Sequence, residues 1–85
     1  MQQSPLILRV LTPEATVFEG GVEAVYVPGS AGRFEILPAH APIISSLSPG
    51  TLKWVSGGAE SSLQVRSGAL MLKDNLLTVC AEPSE

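Results

Sequence analysis

Apolar and polar residues alternate along much of this chain with a period of two, the repeat that turns one face of a β-strand inward. Leu6-Ile7-Leu8-Arg9-Val10-Leu11 is a β-rich run that ends at Thr12-Pro13, where proline cannot donate to a ladder. A second short run, Ala15 to Glu19, is closed by Gly20-Gly21. Thr16-Val17-Phe18-Glu19 has the outline of a helix capping box, but the glycines directly after it leave no room for a helix. Val22 to Val27 reads most clearly as a strand, with Val22, Ala24 and Tyr26 on one face and Glu23, Val25 and Val27 on the other. Further on, Ile43 to Leu47 is extended, Ser48-Pro49-Gly50 turns it, and Thr51 to Val55 sets Leu52 and Trp54 against Lys53. Ser56-Gly57-Gly58-Ala59 is a hairpin turn into Ser61–Arg66, where Leu63 and Val65 point inward.

Ala69 to Glu82 holds no glycine or proline, and Ala-Leu-Met-Leu-Lys is good helix composition. Asp74-Asn75 nevertheless sits midway as a turn pair, and Leu70, Leu72, Leu77 and Val79 keep the two-residue period around it. The segment is therefore expected to be a hairpin, with a fraying coil after Pro83. Short strands following one another at this spacing predict an all-β fold, a flattened antiparallel sandwich or barrel.

One stretch departs from ordinary sheet. Pro28 to Ile44 contains three of the seven prolines, two of the eight glycines and the only histidine. Pro28-Gly29 and Gly32 bracket a tight loop that calls for positive φ. Phe34 and Ile36 then alternate with Arg33 and Glu35, and Pro38 and Pro42 end that strand and force an extended crossing.

Composition narrows the function. Eighty-five residues make one domain, 1–85, with a thin core. Hydrophobic residues are 45% and charged residues 15%, low in charge against the ~25% of average soluble domains, so part of the apolar surface is expected to be covered by a partner. A net charge of −3 with five scattered basic residues argues against nucleic acid. Met1 to Pro5 lacks the basic flank and apolar run of a signal peptide, and no run approaches the ~20 apolar residues of a membrane span. Cys80 is alone, so no disulfide framework or cysteine metal cluster is expected, and it reads as a small core residue.

His40 is the natural candidate for proton transfer. No Gly-x-Ser-x-Gly turn accompanies it, and the carboxylates are too scattered to complete a metal site, so no cofactor is expected and His40 reads as a structural or interface hydrogen-bonding residue. Gly29-Ser30-Ala31-Gly32 lacks the Lys-Ser/Thr pair and following helix of a phosphate loop. Trp54 and Phe34 read as core; Arg33 and Glu35 read as a solvated pair or as contact residues on a rigid loop.

The constellation Pro28-Gly29-x-x-Gly32-x-Phe34-x-Ile36-Leu37-Pro38-x-His40-Ala41-Pro42, followed by Leu47-x-Pro49-Gly50-x-Leu52, resembles the N-terminal domain of the F-type ATP synthase epsilon subunit. Phe18-Glu19-Gly20, Val22-Glu23-Ala24-Val25, Ser67-Gly68, the Asn75 turn and Thr78-Val79 extend the resemblance from about Leu6 to Ala81. It implies a flattened sandwich of about ten strands and a non-catalytic, central-stalk rotor subunit. The implied partners are the gamma subunit and the c subunits of the membrane rotor ring, with a peripheral location on the cytoplasmic face of the bacterial inner membrane. By resemblance the partner interface comprises Ser30, Ala31, Gly32 and Arg33, towards the ring, and His40, Ala41 and Pro42, near the ring and gamma. Family members usually continue into a C-terminal helical pair that inhibits ATP hydrolysis and in some bacteria binds ATP. The chain stops at Glu85, so neither property is expected of it. Arg33 stands where some relatives carry an acidic residue, so the ring's charge differs, or Glu35 or the backbone makes the contact. The competing reading is a free-standing β-sandwich that binds a ligand or acts as a carrier. A carrier needs a modifiable lysine in a hairpin turn, whereas Lys53 and Lys73 fall in strands.

Overall fold

The computed structural model describes residues 5–84; Met1–Ser4 and Glu85, and with them most of the stretch examined for a signal peptide, lie outside the described residues. Eight strands follow in order: β1 (Leu6–Leu11), β2 (Thr16–Val22), β3 (Ala24–Gly29), β4 (Gly32–Ile36), β5 (Ile43–Leu47), β6 (Gly50–Ser56), β7 (Ala59–Lys73) and β8 (Leu76–Pro83). No helix occurs among the described residues, and the hairpin expected at 69–82 is present as β7–β8. Its turn works because Asp74 and Asn75 both adopt left-handed backbone, φ 53° and 61°, the geometry whose twist matches that of paired strands. Gly57 and Gly58, φ 59° and 80°, make the same kind of turn between β6 and β7. Two glycines there cost little strain, and both donate their N–H groups to the Glu23 carboxylate, at 2.8 and 3.2 Å.

The described residues form eight strands rather than about ten, in part because β7 is continuous for 15 residues. Its first half pairs with β6 and its second half with β5, while β8 runs along its other side. Gly68 stands at the changeover with φ 152°, and a Cβ there would lie 2.3 Å from the Cys80 carbonyl. Only glycine lets the strand serve both layers at that point. One layer is therefore β2-β1-β8-β7-β5 and the other β4-β3-β6-β7. All pairings are antiparallel except β1 with β8, which are free to run parallel because nearly the whole chain connects them.

The two layers close on one core. Leu6, Leu8, Val10, Leu77 and Val79 from one side meet Val25, Val27, Leu52 and Trp54 from the other, all buried. Phe18 covers the Trp54 ring at a centroid separation of 5.4 Å. Trp54 is thus core as expected, and Phe34 is half-buried against it.

Four local expectations are corrected. Gly20-Gly21 does not close β2; the strand runs through both to Val22, paired with Leu8 and Ile7, and the chain bends instead at Glu23, whose carboxylate holds the 57–58 turn. Pro38 does not lead into an extended crossing but into a tight turn. There the His40 N–H reaches the Leu37 carbonyl (3.1 Å) and Ala39 takes φ 67°, the pattern of Pro at the second position of a type II turn. Cys80 is exposed, not core, because the alternation that turns Leu77, Val79 and Ala81 inward turns Leu76, Thr78 and Cys80 outward. Ser84, expected to fray, donates its N–H to the Gln64 carbonyl at 2.8 Å.

Candidate partner interface

The residues singled out by the sequence fall in two segments. Ser30 and Ala31 form the tip of the β3–β4 hairpin, and both are exposed. Gly29 permits the tip, since a Cβ there would sit 2.7 Å from the Phe34 ring and 2.8 Å from the Gly32 carbonyl. Gly32 has φ 133°, the positive value that the sequence demanded. The tip is tied to β5 by the Ser30 N–H on the Ser46 carbonyl (3.1 Å) and by the Ser46 hydroxyl on Ser30 Oγ (2.8 Å). Arg33 extends from this rigid tip into solvent, and it forms no ion pair among the described residues.

His40, Ala41 and Pro42 lie in the β4–β5 connector. The Ala39 N–H donates to Asn75 Oδ1 (2.8 Å), which fastens the connector to the β7–β8 turn. The His40 ring uses Nδ1 on the Ala41 carbonyl at 2.6 Å. The two segments sit at opposite ends of β5, whose five residues span roughly 17 Å at the strand rise. They are parts of one flank and not of one pocket.

Arg33 and Glu35 do not pair with each other. Glu35 is instead the cross-strand neighbour of Tyr26, and its carboxylate raises the phenol above its ordinary pKa of 10.0, first by its charge and then by its capacity to accept from the hydroxyl. Lys53 belongs to β6 and Lys73 is the last residue of β7; neither is held in a turn. Among the described residues no group of three or more His, Cys, Asp or Glu side chains is placed to hold a metal.

What the sequence reading missed is the surface between the two segments. Ile44 is 78% exposed and Met71 52% exposed, and the two are direct partners across β5 and β7. With Pro42 and Lys73 they line a shallow apolar groove of about 400 Å³. Leu76 is exposed at the neighbouring register, opposite Lys73. The signal was present in the chain: Ile43-Ile44, Leu70-Met71-Leu72 and Leu76-Leu77 are consecutive apolar residues in strands. With a period of two, each such run must send one side chain outward.

Comparison with known proteins gives a consistent result. Residues 5–85 match the family described as ATP synthase, Delta/Epsilon chain, beta-sandwich domain. The ATP synthase epsilon chain of Leptospira interrogans is 35% identical over 82 residues, covering 96% of this chain and 65% of the relative. That of Desulfitobacterium hafniense is 36% identical over 78 residues, covering 92% and 59%. The chain thus spans less than two thirds of the length of these curated relatives. Among solved structures, a chain of the Euglena gracilis mitochondrial ATP synthase assembly of OSCP, F1 and c-ring superposes with a TM-score of 0.85 at 19% identity, covering 98% of this chain and 56% of that one. A chain of the Tetrahymena thermophila mitochondrial ATP synthase central stalk and c-ring superposes with a TM-score of 0.80 at 13% identity, covering 96% and 66%. At such identities the superpositions speak to the fold alone.

Proposed function

The chain belongs to the β-sandwich family of ATP synthase delta/epsilon chains, and from that premise we propose that it is a non-catalytic rotor subunit of the central stalk, packed between the gamma chain and the membrane ring of c subunits. The observation that carries the reading is the Ile44–Met71 face. A rigid sheet that leaves a nearly bare isoleucine beside a methionine is suited to a permanent apolar contact and poorly suited to water. The stalk chain is the partner proposed for this face, together with His40, Ala41 and Pro42 at its margin. The hairpin tip Ser30–Arg33 is proposed to meet the polar loops of the ring, where a cation on a fixed loop selects an oppositely charged or neutral contact. His40, the side chain best suited to proton transfer, ties down its own turn, which fits a structural part better than a catalyst. Location follows from assembly: the subunit is peripheral, on the cytoplasmic face of a bacterial inner membrane, held there by its partners.

The test is capture of purified gamma chain by the tagged protein, wild type against Ile44→Asp. Ile44 is exposed, so the free protein should keep its stability within about 0.5 kcal/mol. Binding should weaken by more than about 30-fold, because the variant loses an apolar contact of ~2 kcal/mol and buries a charge in its place. Undiminished capture by a folded variant removes this face from the interface.

A further inference from the structure

The free edge of the second layer carries a self-complementary pattern that lies outside the stalk reading and does not depend on it. Among the described residues β4 pairs with β3 alone, so its other side is open. Pro28 is opposite Arg33 across β3–β4, yet its carbonyl accepts the Ser48 N–H at 2.8 Å on the β5 side, away from β4. Pro28 and Arg33 are therefore a pair without mutual hydrogen bonds, and the N–H and C=O of Arg33 point out from the edge. Glu35, two residues further and opposite Tyr26, presents its backbone the same way. Both side chains stand on the outer face, while Phe34 between them packs against the core.

Two such edges fit one another about a two-fold axis through Phe34. In an antiparallel pairing centred there, Arg33 of one copy stands opposite Glu35 of the other, and the reverse. Each of these is a hydrogen-bonded pair, because both residues present N–H and C=O outward. The four charges then alternate in sign across the junction, and the two Phe34 rings approach on the inner side. Gly32 comes opposite Ile36, and the space at its Cβ position is open. Charged residues on an edge ordinarily repel another edge; the order Arg-Phe-Glu repels like-charged strands but matches its own reverse.

We propose that β4 is a self-association edge, through which two copies of this chain join antiparallel over Gly32–Ile36. A five-residue strand buries well below the ~1,000 Å² of a stable interface, so the dimer is weak and depends on concentration. Sedimentation velocity of the purified chain from micromolar to millimolar concentration provides the test. The wild type should shift towards dimer as concentration rises, and salt should reduce the shift. Arg33→Glu and Glu35→Arg each set like charges opposite one another and should weaken self-association by about tenfold or more. An equimolar mixture of the two variants restores opposite charges at both pairs and should dimerise, as should the double charge swap alone. A wild type that stays monomeric at millimolar concentration overturns the proposal. So does self-association unaffected by either reversal, or a mixture no more associated than its two components.

Discussion

Replacing Gly68 by alanine should injure this fold more than any other glycine substitution, and the amount follows from two separate effects. The backbone at Gly68 has φ 152°, a conformation that costs an L-residue about 1–2 kcal/mol. In addition, the new Cβ would lie 2.3 Å from the Cys80 carbonyl oxygen and 3.1 Å from the Ala81 Cα. Both are backbone atoms of β8 in register with Gly68 and Ala69, and they cannot step aside without opening the ladder. Overpacking of that kind adds about 1–3 kcal/mol, for a total of about 2–5 kcal/mol. Against a total stability of about 5–15 kcal/mol that loss is large, and the Tm of a domain of this size falls about 4–8 °C per kcal/mol. Gly32→Ala is the internal control, since Gly32 shares the positive φ but has nothing within 4 Å of its Cβ position; it should lose only the backbone part. The assay is denaturant unfolding followed by far-UV circular dichroism on both variants. Equal losses, or a loss under about 1 kcal/mol at Gly68, would refute the claim that one strand serves two layers through this residue.

Gly32→Val should cost at least about 1–2 kcal/mol, read as a lowered denaturant midpoint, with no steric contribution. Glu23→Ala removes the acceptor for two turn N–H groups and should cost about 1–2 kcal/mol; an unchanged midpoint would mean that water replaces the carboxylate fully. Tyr26 is the only tyrosine, so tyrosinate absorbance reports it alone. It should ionise above pH 10.0 in the native chain and return towards that value in Glu35→Gln. For a raised folded pKa the sign is fixed: the contact's contribution to stability is whole below the ordinary value near 10 and is lost as pH rises through the folded value.

Much of the fold could be read from the chain because local chemistry and tertiary structure agree. Asp74-Asn75 and Gly57-Gly58 lie where two-residue turns are needed, and Gly32 has the φ that its place implied. Disagreement came where a local signal had two physical outcomes. Gly20-Gly21 can turn a chain, but both glycines also pair in a strand, and the Glu23 contact to a turn 34 residues away decides where the bend falls. Cys80 is a residue type that prefers burial, yet its register between Val79 and Ala81 turns it outward. The parallel pairing of β1 with β8 has no local signature at all. At the proposed interface, the loop residues were legible as a rigid tip, because glycine and proline announce backbone constraints. The apolar face was not, because in Ile43-Ile44 the alternation does not say which residue faces water until the register with Leu72 and Met71 is known.

The central claim is that the Ile44–Met71 face is covered by the stalk partner, and thiol labelling measures this directly. In a Cys80→Ala background, which removes the only native thiol, one variant carries Ile44→Cys and a second carries Glu60→Cys, in the β6–β7 hairpin where Glu60 is exposed. Maleimide rates are compared for the free chain and for its stoichiometric complex with the gamma chain and the ring. The account predicts that both thiols react readily when free, and that in the complex the thiol at position 44 is protected by at least about tenfold while the one at position 60 is unchanged. Equal labelling of position 44 in the free chain and in the full complex would contradict it.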